Sequence, residues 1–505
     1  MIKLPISCIF CLSILFSVSG ADLRCSVMPV VPTGRESILS VEIVDDQGIV
    51  DRSFWAVDVQ WSVKPSGADE PECNGSLMLT NGRGSTLLPG FAKGSYDIRL
   101  SADGFQQISA GFEIDDLPVR EVSGLLEGDD LHWGEQPEVI RVIEDIEIEA
   151  GSVLTIEAGT LVLMVEGADW TVRGEVRSLG SLANPIFVDA EDRSTPWRQI
   201  YHMFNSIGEY RHVWFRGGGR APKIFHAAGS AFYLVNCDIE FDHCLFYDLA
   251  GKAMDGNYAR LHVRDSLVQG CASAGELRRG ATEFLRCHII DTWDASPELD
   301  YDGLYLVGPA DEKITSCVFA RCSDDGLDTY TSTVVVRDSI FYDIGDKGLS
   351  MNTGVTLINC LIFNCKLAGI VQKTNKVELP RKHPLLAAMN CTVVGNRRGY
   401  LLVNTWDENH TVETVERIVN SIIRDSPETV RNDYTADNLW IMNSNTPPGH
   451  YRDQGGNIDS DPRFDEADPF RLLPESPCIG TGFGDVDMGW LGFGRCTGDA
   501  VWSLY

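Results

Sequence analysis

From residue 229 the chain returns at short intervals to a glycine: Gly229, Gly251, Gly275, Gly303, Gly326, Gly348, Gly369 and Gly399, with gaps of 22, 24, 28, 23, 22, 21 and 30. A second marker keeps pace, Cys244, Ser266, Cys287, Cys317, Ser339, Cys360, Cys391 and Ser421, usually preceded by a polar residue such as Asp265, Asp338, Asn359, Asn390 or Asn420. A short apolar stretch usually follows it, as in CLFYDL, SIFYDI, CLIFNC and CTVVGN. Small residues at a fixed interval stack where like sits on like, and polar residues stacked at a turn can hydrogen-bond along the stacking axis. Each repeat holds two or three short β runs and no helical period, which fits one coil of a parallel β solenoid. Leucine-rich repeats of similar length need an LxxLxL signature, and it is absent.

The segments around the repeat have a different texture. Residues 1–20 read as a secretory signal peptide: Lys3, the apolar run Ile6–Val18, then Ser17, Ser19 and Gly20 at the cleavage region. Residues 21–118 hold short alternating runs at Ile38–Ile43, Phe54–Val63, Ser76–Leu79, Tyr96–Leu100 and Gly111–Ile114, separated by Gly, Pro, Asp and Asn, and predict an Ig-like β-sandwich. Residues 119–138 read as a polar connector, 139–470 as the solenoid and 471–505 as a C-terminal cap. The expected fold class is all-β, a right-handed parallel β-helix preceded by a small sandwich.

Composition narrows the function. The formal charge of −31 argues against a nucleic-acid binder, which needs a basic stripe, and against docking on an anionic membrane. No segment beyond the signal approaches a membrane span. The expectation is an exported monomer, secreted or periplasmic. Export permits disulfides, and Cys25 with Cys73, and Cys478 with Cys496, fall in segments where they could pair. The nine cysteines from Cys237 to Cys391 lie within the repeat and read as buried small hydrophobes. Beyond the signal segment, which holds Cys8 and Cys11, no CxxC occurs; no Cys/His spacing suggests zinc, and His243, His262 and His288 read as structural.

Three successive coils carry acids: ELDYDGLYL (298–306), CSDDGLDTY (322–330) and IGDKGLSMN (344–352). Aligned on Gly303, Gly326 and Gly348, they place Asp302, Asp325 and Lys347 in one column, and Tyr301, Asp324 and Asp346 in the next. Coils stack at about 4.8 Å, so with Leu327 inward and Asp328 outward, Asp300, Asp302, Asp324, Asp325 and Asp328 converge. Carboxylates so close require a compensating cation, and oxygen-only ligands suit Ca²⁺. An acidic, solvated turn edge is the plainer alternative. Trp293, Tyr305 and Tyr330 are placed to stack on sugar rings. Arg398 belongs to a basic island with Lys373, Lys376, Arg381, Lys382 and Arg397, suited to an acidic group. Asn74, Asn390 and Asn409 begin glycosylation sequons.

The repeat resembles the right-handed parallel β-helices of the pectate-lyase-like superfamily, over roughly residues 130–480. The coils DYDG and DDGLD resemble the calcium site of family 9 pectate lyases. That resemblance implies Ca²⁺ ligands at Asp302, Asp324, Asp325 and Asp328, and a lysine base for β-elimination of an acidic polysaccharide. The family's lysine position is Ser350 here, which leaves Lys347 and Lys373 as candidates. DDGLD, GDKGLSM and AGIVQK, with LTNGRGSTLLPG upstream, are also similar to the β-helix and Ig-like domains of secreted bacterial proteins with spore-coat-kinase or lamin-tail modules. A polygalacturonase-type hydrolase would show a Gly-His-Gly coil where this chain has GDKG. The expected function is interaction with an acidic polysaccharide or cell-surface glycan, by calcium-dependent lysis or as a non-catalytic binding module.

Overall fold

Alternation of apolar and polar residues before residue 118 yields an eight-stranded sheet ordered Asp22–Ser26, Ser37–Val44, Arg83–Leu88, Cys73–Thr80, Ala56–Pro65, Gly94–Ser101, Ile108–Asp115, Val30–Pro32, antiparallel except at its last pair. The computed structural model describes residues 20–219, 229–294, 301–308, 311–330, 333–352, 354–374, 386–404, 416–466 and 468–493. They form two compact units, residues up to 118 with 182–185, and residues 119–181 with 186 onward. Four of the five expected strand runs fall within strands of the first unit, and Phe54–Val63 overlaps the strand Ala56–Pro65, which starts two residues later; Ile38, Val41, Val59, Val63, Leu79, Ile98 and Leu100 are buried there. Cys25 and Cys73 stand free, with two strands of the sheet between theirs, so the pairing offered by their sequence positions does not form.

The second unit is a right-handed parallel β-helix built from three parallel ladders. One ladder runs through Arg260–Arg264, Ala281–Leu285, Asp311–Thr315 and Thr333–Arg337. The next runs through Leu267–Gln269, His288–Ile290, Val318–Ala320 and Ile340–Tyr342. The third runs through Lys252–Asn257, Gly275–Arg278, Leu304–Val307, Leu327–Tyr330, Lys347–Met351, Ala368–Thr374 and Arg398–Asn404. Inward side chains stack on their equivalents one coil away; the rings of Phe319 and Phe341 lie 4.6 Å apart and 9° from parallel. Burying such a side chain contributes about 1.5–3 kcal/mol. Residues 119–138 are not a connector. Val119–Leu126 pairs with Val139–Ile148, and Leu131–Trp133 with Val153–Glu157, so they form the first coil.

Both sequence markers have a physical cause. The residue before each Cys or Ser marker turns the corner between the first two ladders in the left-handed region, with φ of 46–55° at His243, Asp265, Arg286, Ser316, Asp338, Asn359, Asn390, Asn420 and Asn443; His212, before Val213, does the same at 47°. The marker side chain then accepts the backbone N–H of the marker one coil earlier, as in Cys244 N to Ser266 Oγ (3.0 Å) and Cys317 N to Ser339 Oγ (3.1 Å). A larger side chain would fill that space. The nine repeat cysteines are free and buried, as small hydrophobes should be. The glycines serve close approach: a Cβ on Gly303, Gly326 or Gly348 would stand 2.6 Å from the carbonyl oxygen of the next coil's glycine.

The C-terminal segment departs from the expected cap. It runs back along the corner: Phe483 N donates to Asn420 Oδ1, the Asn390 amide to Asp487 O, and Leu491 N to Asn359 Oδ1. The corner asparagines thus hold the tail as well as bonding along the axis, as Asn359 does to Asp338 (2.6 Å). Asn390 is buried there, which removes it as a glycosylation acceptor. Cys478 is buried and accepts from the Asn445 amide (3.0 Å); its suggested partner Cys496 lies outside the described residues.

Candidate functional site

The third ladder positions the acids. Leu304, Leu327, Leu349 and Ile370 occupy one inward column, so Tyr305, Asp328, Ser350 and Val371 form the adjacent outward column. Gly303 N bonds to Asp325 O and Gly326 N to Lys347 O, which sets Asp302, Asp325 and Lys347 in successive coils as aligned from the sequence. Asp302 and Asp325 are 4% and 2% exposed. One carboxylate oxygen from each of Asp302, Asp325 and Asp328 lies within 4.8 Å of the others. Asp324, Asp325 and Asp346 make a second such group sharing Asp325. Asp300 lies outside the described residues.

Lys347 is already committed. Its Nζ sits 2.7 Å from Asp325 Oδ1 and 2.5 Å from Asp346 Oδ2, and its backbone N–H also donates to Asp325 Oδ1. Burial disfavours the ammonium, but these two carboxylates outweigh it and hold Lys347 well above the usual lysine range. In this arrangement Lys347, expected as one of two candidate bases, is paired as the ammonium with both carboxylates. Lys373 is differently placed: its Nζ is 3.9 Å from Asp328 Oδ2, beyond hydrogen-bond distance. Burial pushes the Asp325 carboxyl up, against the pull of Lys347 and then Lys373, so its ionised form depends on nearby positive charge.

Ser350, at the position of the expected lysine, is fully buried beside Asp328, and its Oγ has no hydrogen-bond partner. A buried hydroxyl without a protein partner costs about 1–3 kcal/mol, and its oxygen lies beside the acids as a further donor. Tyr305 lies half-buried between Glu276 and Asp328; burial and then Asp328 and Asp302 push its phenol up. Tyr330 ends the strand that bears Asp328 and is 36% exposed. Arg398 shares the Lys347 column two coils on, where its Nε contacts Glu428 Oε2 at 2.9 Å. Trp293 is elsewhere: it packs on Ala272 and Tyr301, donates to Gly270 O, and lines a cavity of about 250 Å³ with Arg193, Arg216 and Asp248. Of the basic island, Lys376, Arg381 and Lys382 lie outside the described residues.

Sequence reasoning missed a buried charge network one coil before the acids. Lys252 pairs with Glu276, Arg278 bridges Glu276 and Asp255, and Lys252 lies 5.5 Å from the Tyr301 ring centre. Burial, offset in part by Arg278, pushes Asp255 up to about 6. The signal was present as Asp255 and Glu276 at outward positions, but only the stacking register shows them adjacent.

A family model described as right handed beta helix region matches residues 223–381 and 301–415. No curated protein matches the chain in sequence. Among solved structures, the periplasmic alginate epimerase AlgG is similar at 11% identity, over 55% of this chain and 76% of that one, with a TM-score of 0.35. Bacteriophage CBA120 tailspike protein 3 is similar at 11% identity, over 65% and 57% of the two chains, with a TM-score of 0.30. An alginate lyase from Paenibacillus sp. str. FPU-7 is similar at 10% identity, over 59% and 93%, with a TM-score of 0.22. Ladder register and family model agree on what the chain folds into: an all-β, right-handed parallel β-helix carrying a buried acidic cluster on one face.

Proposed function

We propose that the protein binds an acidic polysaccharide through a divalent cation, Ca²⁺ first among candidates, held by Asp302, Asp325 and Asp328. The observation that carries this reading is the convergence of three acids from adjacent coils, Asp302 and Asp325 buried and Asp328 partly so. The unpartnered Ser350 hydroxyl beside them adds a further oxygen donor. Oxygen donors alone suit a hard cation, and Ca²⁺ takes six to eight of them, which leaves coordination positions for a uronate carboxylate. The cation would also join an acidic protein to an acidic sugar that it otherwise repels.

Calorimetric titration of Ca²⁺ into EDTA-stripped protein tests this. One site is expected, lost in Asp325→Asn and weakened at least tenfold in Asp328→Asn. Polygalacturonate or alginate should then bind only with Ca²⁺ present. No Ca²⁺ binding, or equal binding in Asp325→Asn, refutes the reading. Eliminative cleavage is the second reading, and the position of Lys373 favours it. Its amine, when deprotonated, would take the proton α to the uronate carboxylate. The bond to the β-oxygen would break, and that oxygen would take a proton from water. Ultraviolet absorbance of an unsaturated product, lost in Lys373→Met with Ca²⁺ binding retained, separates cleavage from binding.

A further inference from the structure

One coil near the acids is longer than its neighbours. The step from Gly275 to Gly303 is 28 residues, against 22 and 24 before it and 23 after it. The extra length lies in the link before the strand Leu304–Val307, and Trp293 stands near the start of that link. Trp293 N donates to Cys271 O at 3.1 Å and its Nε1 to Gly270 O at 3.0 Å. The ring packs on Ala272 and Tyr301. The added residues thus carry an indole back over the preceding coil, where two hydrogen bonds to its backbone hold it.

The cavity of about 250 Å³ that Trp293 lines has a second, polar wall. Arg193 Nη2 lies 2.6 Å from Asp248 Oδ2, and the two side chains are 44% and 52% exposed, so the pair stands at the mouth. Gly217 and Ala250 leave room between the walls. Arg216 is 2% exposed, and Asp189 takes two of its nitrogens, at 2.8 and 2.7 Å. Two arginines against two aspartates leave the cavity electrically balanced. A metal ion would meet Arg193 and a small anion would meet Asp248, so neither is favoured. A sugar ring suits all the walls: its C–H face lies on the indole, and its hydroxyls find a donor in Arg193 and an acceptor in Asp248. The volume falls below the about 300–1,000 Å³ of pockets for drug-sized ligands, which is room for one ring.

We propose that this cavity is a saccharide subsite, in which one pyranose ring of the bound glycan stacks on Trp293 and hydrogen-bonds to Arg193 and Asp248. The subsite presupposes the polysaccharide ligand proposed above and adds a second point of contact for it. Asp248 precedes the strand Lys252–Asn257, which lies two coils before the strand that follows Asp302. The subsite therefore lies about 10 Å from the acids along the solenoid axis. Trp293 packs on Tyr301, the residue before Asp302, so the indole adjoins the acid cluster through one ring. The cation would hold a uronate carboxylate at one point, and the cavity would hold the ring of another residue of the same chain. Joining two such contacts raises affinity through effective concentration.

Oligogalacturonates and oligoalginates from dimer to octamer, titrated calorimetrically into the full-length protein with Ca²⁺ present, test this. Affinity for one series should rise at least tenfold once the oligomer spans both contacts. Trp293→Leu and Arg193→Ala should lose that rise and keep the wild-type affinity for the dimer. Arg193 sits in an exposed ion pair, so its removal leaves the fold intact, and Ca²⁺ titration without sugar should match the wild type in that variant. A rise that survives in either variant overturns the subsite. So does the absence of any rise with chain length in the wild type, whether or not Ca²⁺ binds. Failure of Ca²⁺ to bind the wild type, or binding that survives Asp325→Asn, refutes the cation site instead, which keeps the two failures apart.

Discussion

Replacing Gly326 by alanine adds one methyl group where two coils meet. Its Cβ would stand 2.6 Å from Gly348 O and 3.0 Å from Phe341 Cδ1, where ordinary contact begins at 3.4 Å. The glycine has no positive φ, so the cost comes from packing and not from backbone conformation. Relief requires the coils to part locally by about 0.8 Å, a sixth of their spacing. Gly326 N to Lys347 O, 2.8 Å, and Leu304 N to Gly326 O, 3.1 Å, would stretch or tilt with it. Losing one or two such bonds at about 1 kcal/mol each, with the overpacking term, gives a loss of about 2–4 kcal/mol. Urea unfolding followed by far-ultraviolet circular dichroism would measure it. Gly111→Ala is the control, since its Cβ meets nothing closer than 3.8 Å. Because Gly326 lies between Asp325 and Asp328, Ca²⁺ binding should weaken in parallel. A change below about 0.5 kcal/mol, no larger than the control, would refute the claim that these glycines exist for close approach.

Lys347→Met strips the cation from buried Asp325; a loss of about 3–5 kcal/mol is expected, partly restored by Ca²⁺ but not by Na⁺, in thermal unfolding. If Ca²⁺ restores nothing, the acids do not share a cation site. His202 is fully buried between Ser206 Oγ and Tyr210 OH, and burial lowers its pKa to about 3. A depressed histidine pKa means the unfolded chain binds the proton more readily, so stability is full above pH 6.5 and falls as pH drops from 6.5 towards 3. The loss approaches about 4–5 kcal/mol and should shrink in His202→Gln; equal acid sensitivity in the variant would count against it. Native iodoacetamide labelling read by mass spectrometry should modify Cys73 first. Cys237, Cys271 and Cys322, whose thiols burial pushes up to about 12, should react only in denaturant. Ladder cysteines reacting as fast as Cys73, or a Cys25–Cys73 disulfide, would contradict the structure.

The solenoid was legible because stacking enforces it on the sequence. A small residue at each corner and a glycine before each site strand repeat, since anything larger collides with the coil next door. Register followed from aligning the glycines, so Asp302, Asp325 and Lys347 could be placed in one column. What spacing could not give was the final ångström of a side chain. Lys347 and Lys373 both face outward beside the acids, and only the structure shows Lys347 locked by two carboxylates. The first coil was misread because VREVSGLL is mostly exposed and lacks the buried alternation that marks a strand. The tail's path along Asn359, Asn390 and Asn420 joins segments about a hundred residues apart through backbone atoms, which leave no trace in side-chain pattern.

The left-handed corner allots the chain's freedom to change. It is two residues long in coil after coil, as at 265–266, 286–287, 316–317, 338–339 and 359–360, and both residues are bonded to adjacent coils. Only the early coils lengthen it, at 158–160 and 180–185. The links that flank the site strands are under no such rule: after the strand they range from residues 331–332 to residues 375–385, and before it from 395–397 to 291–303. From residue 243 onward, length is therefore gained beside the acid-bearing face and not at this corner. A chain of this design can rebuild the walls around its ligand by insertion while the scaffold beneath keeps its register, and loop grafting should begin at 331–332.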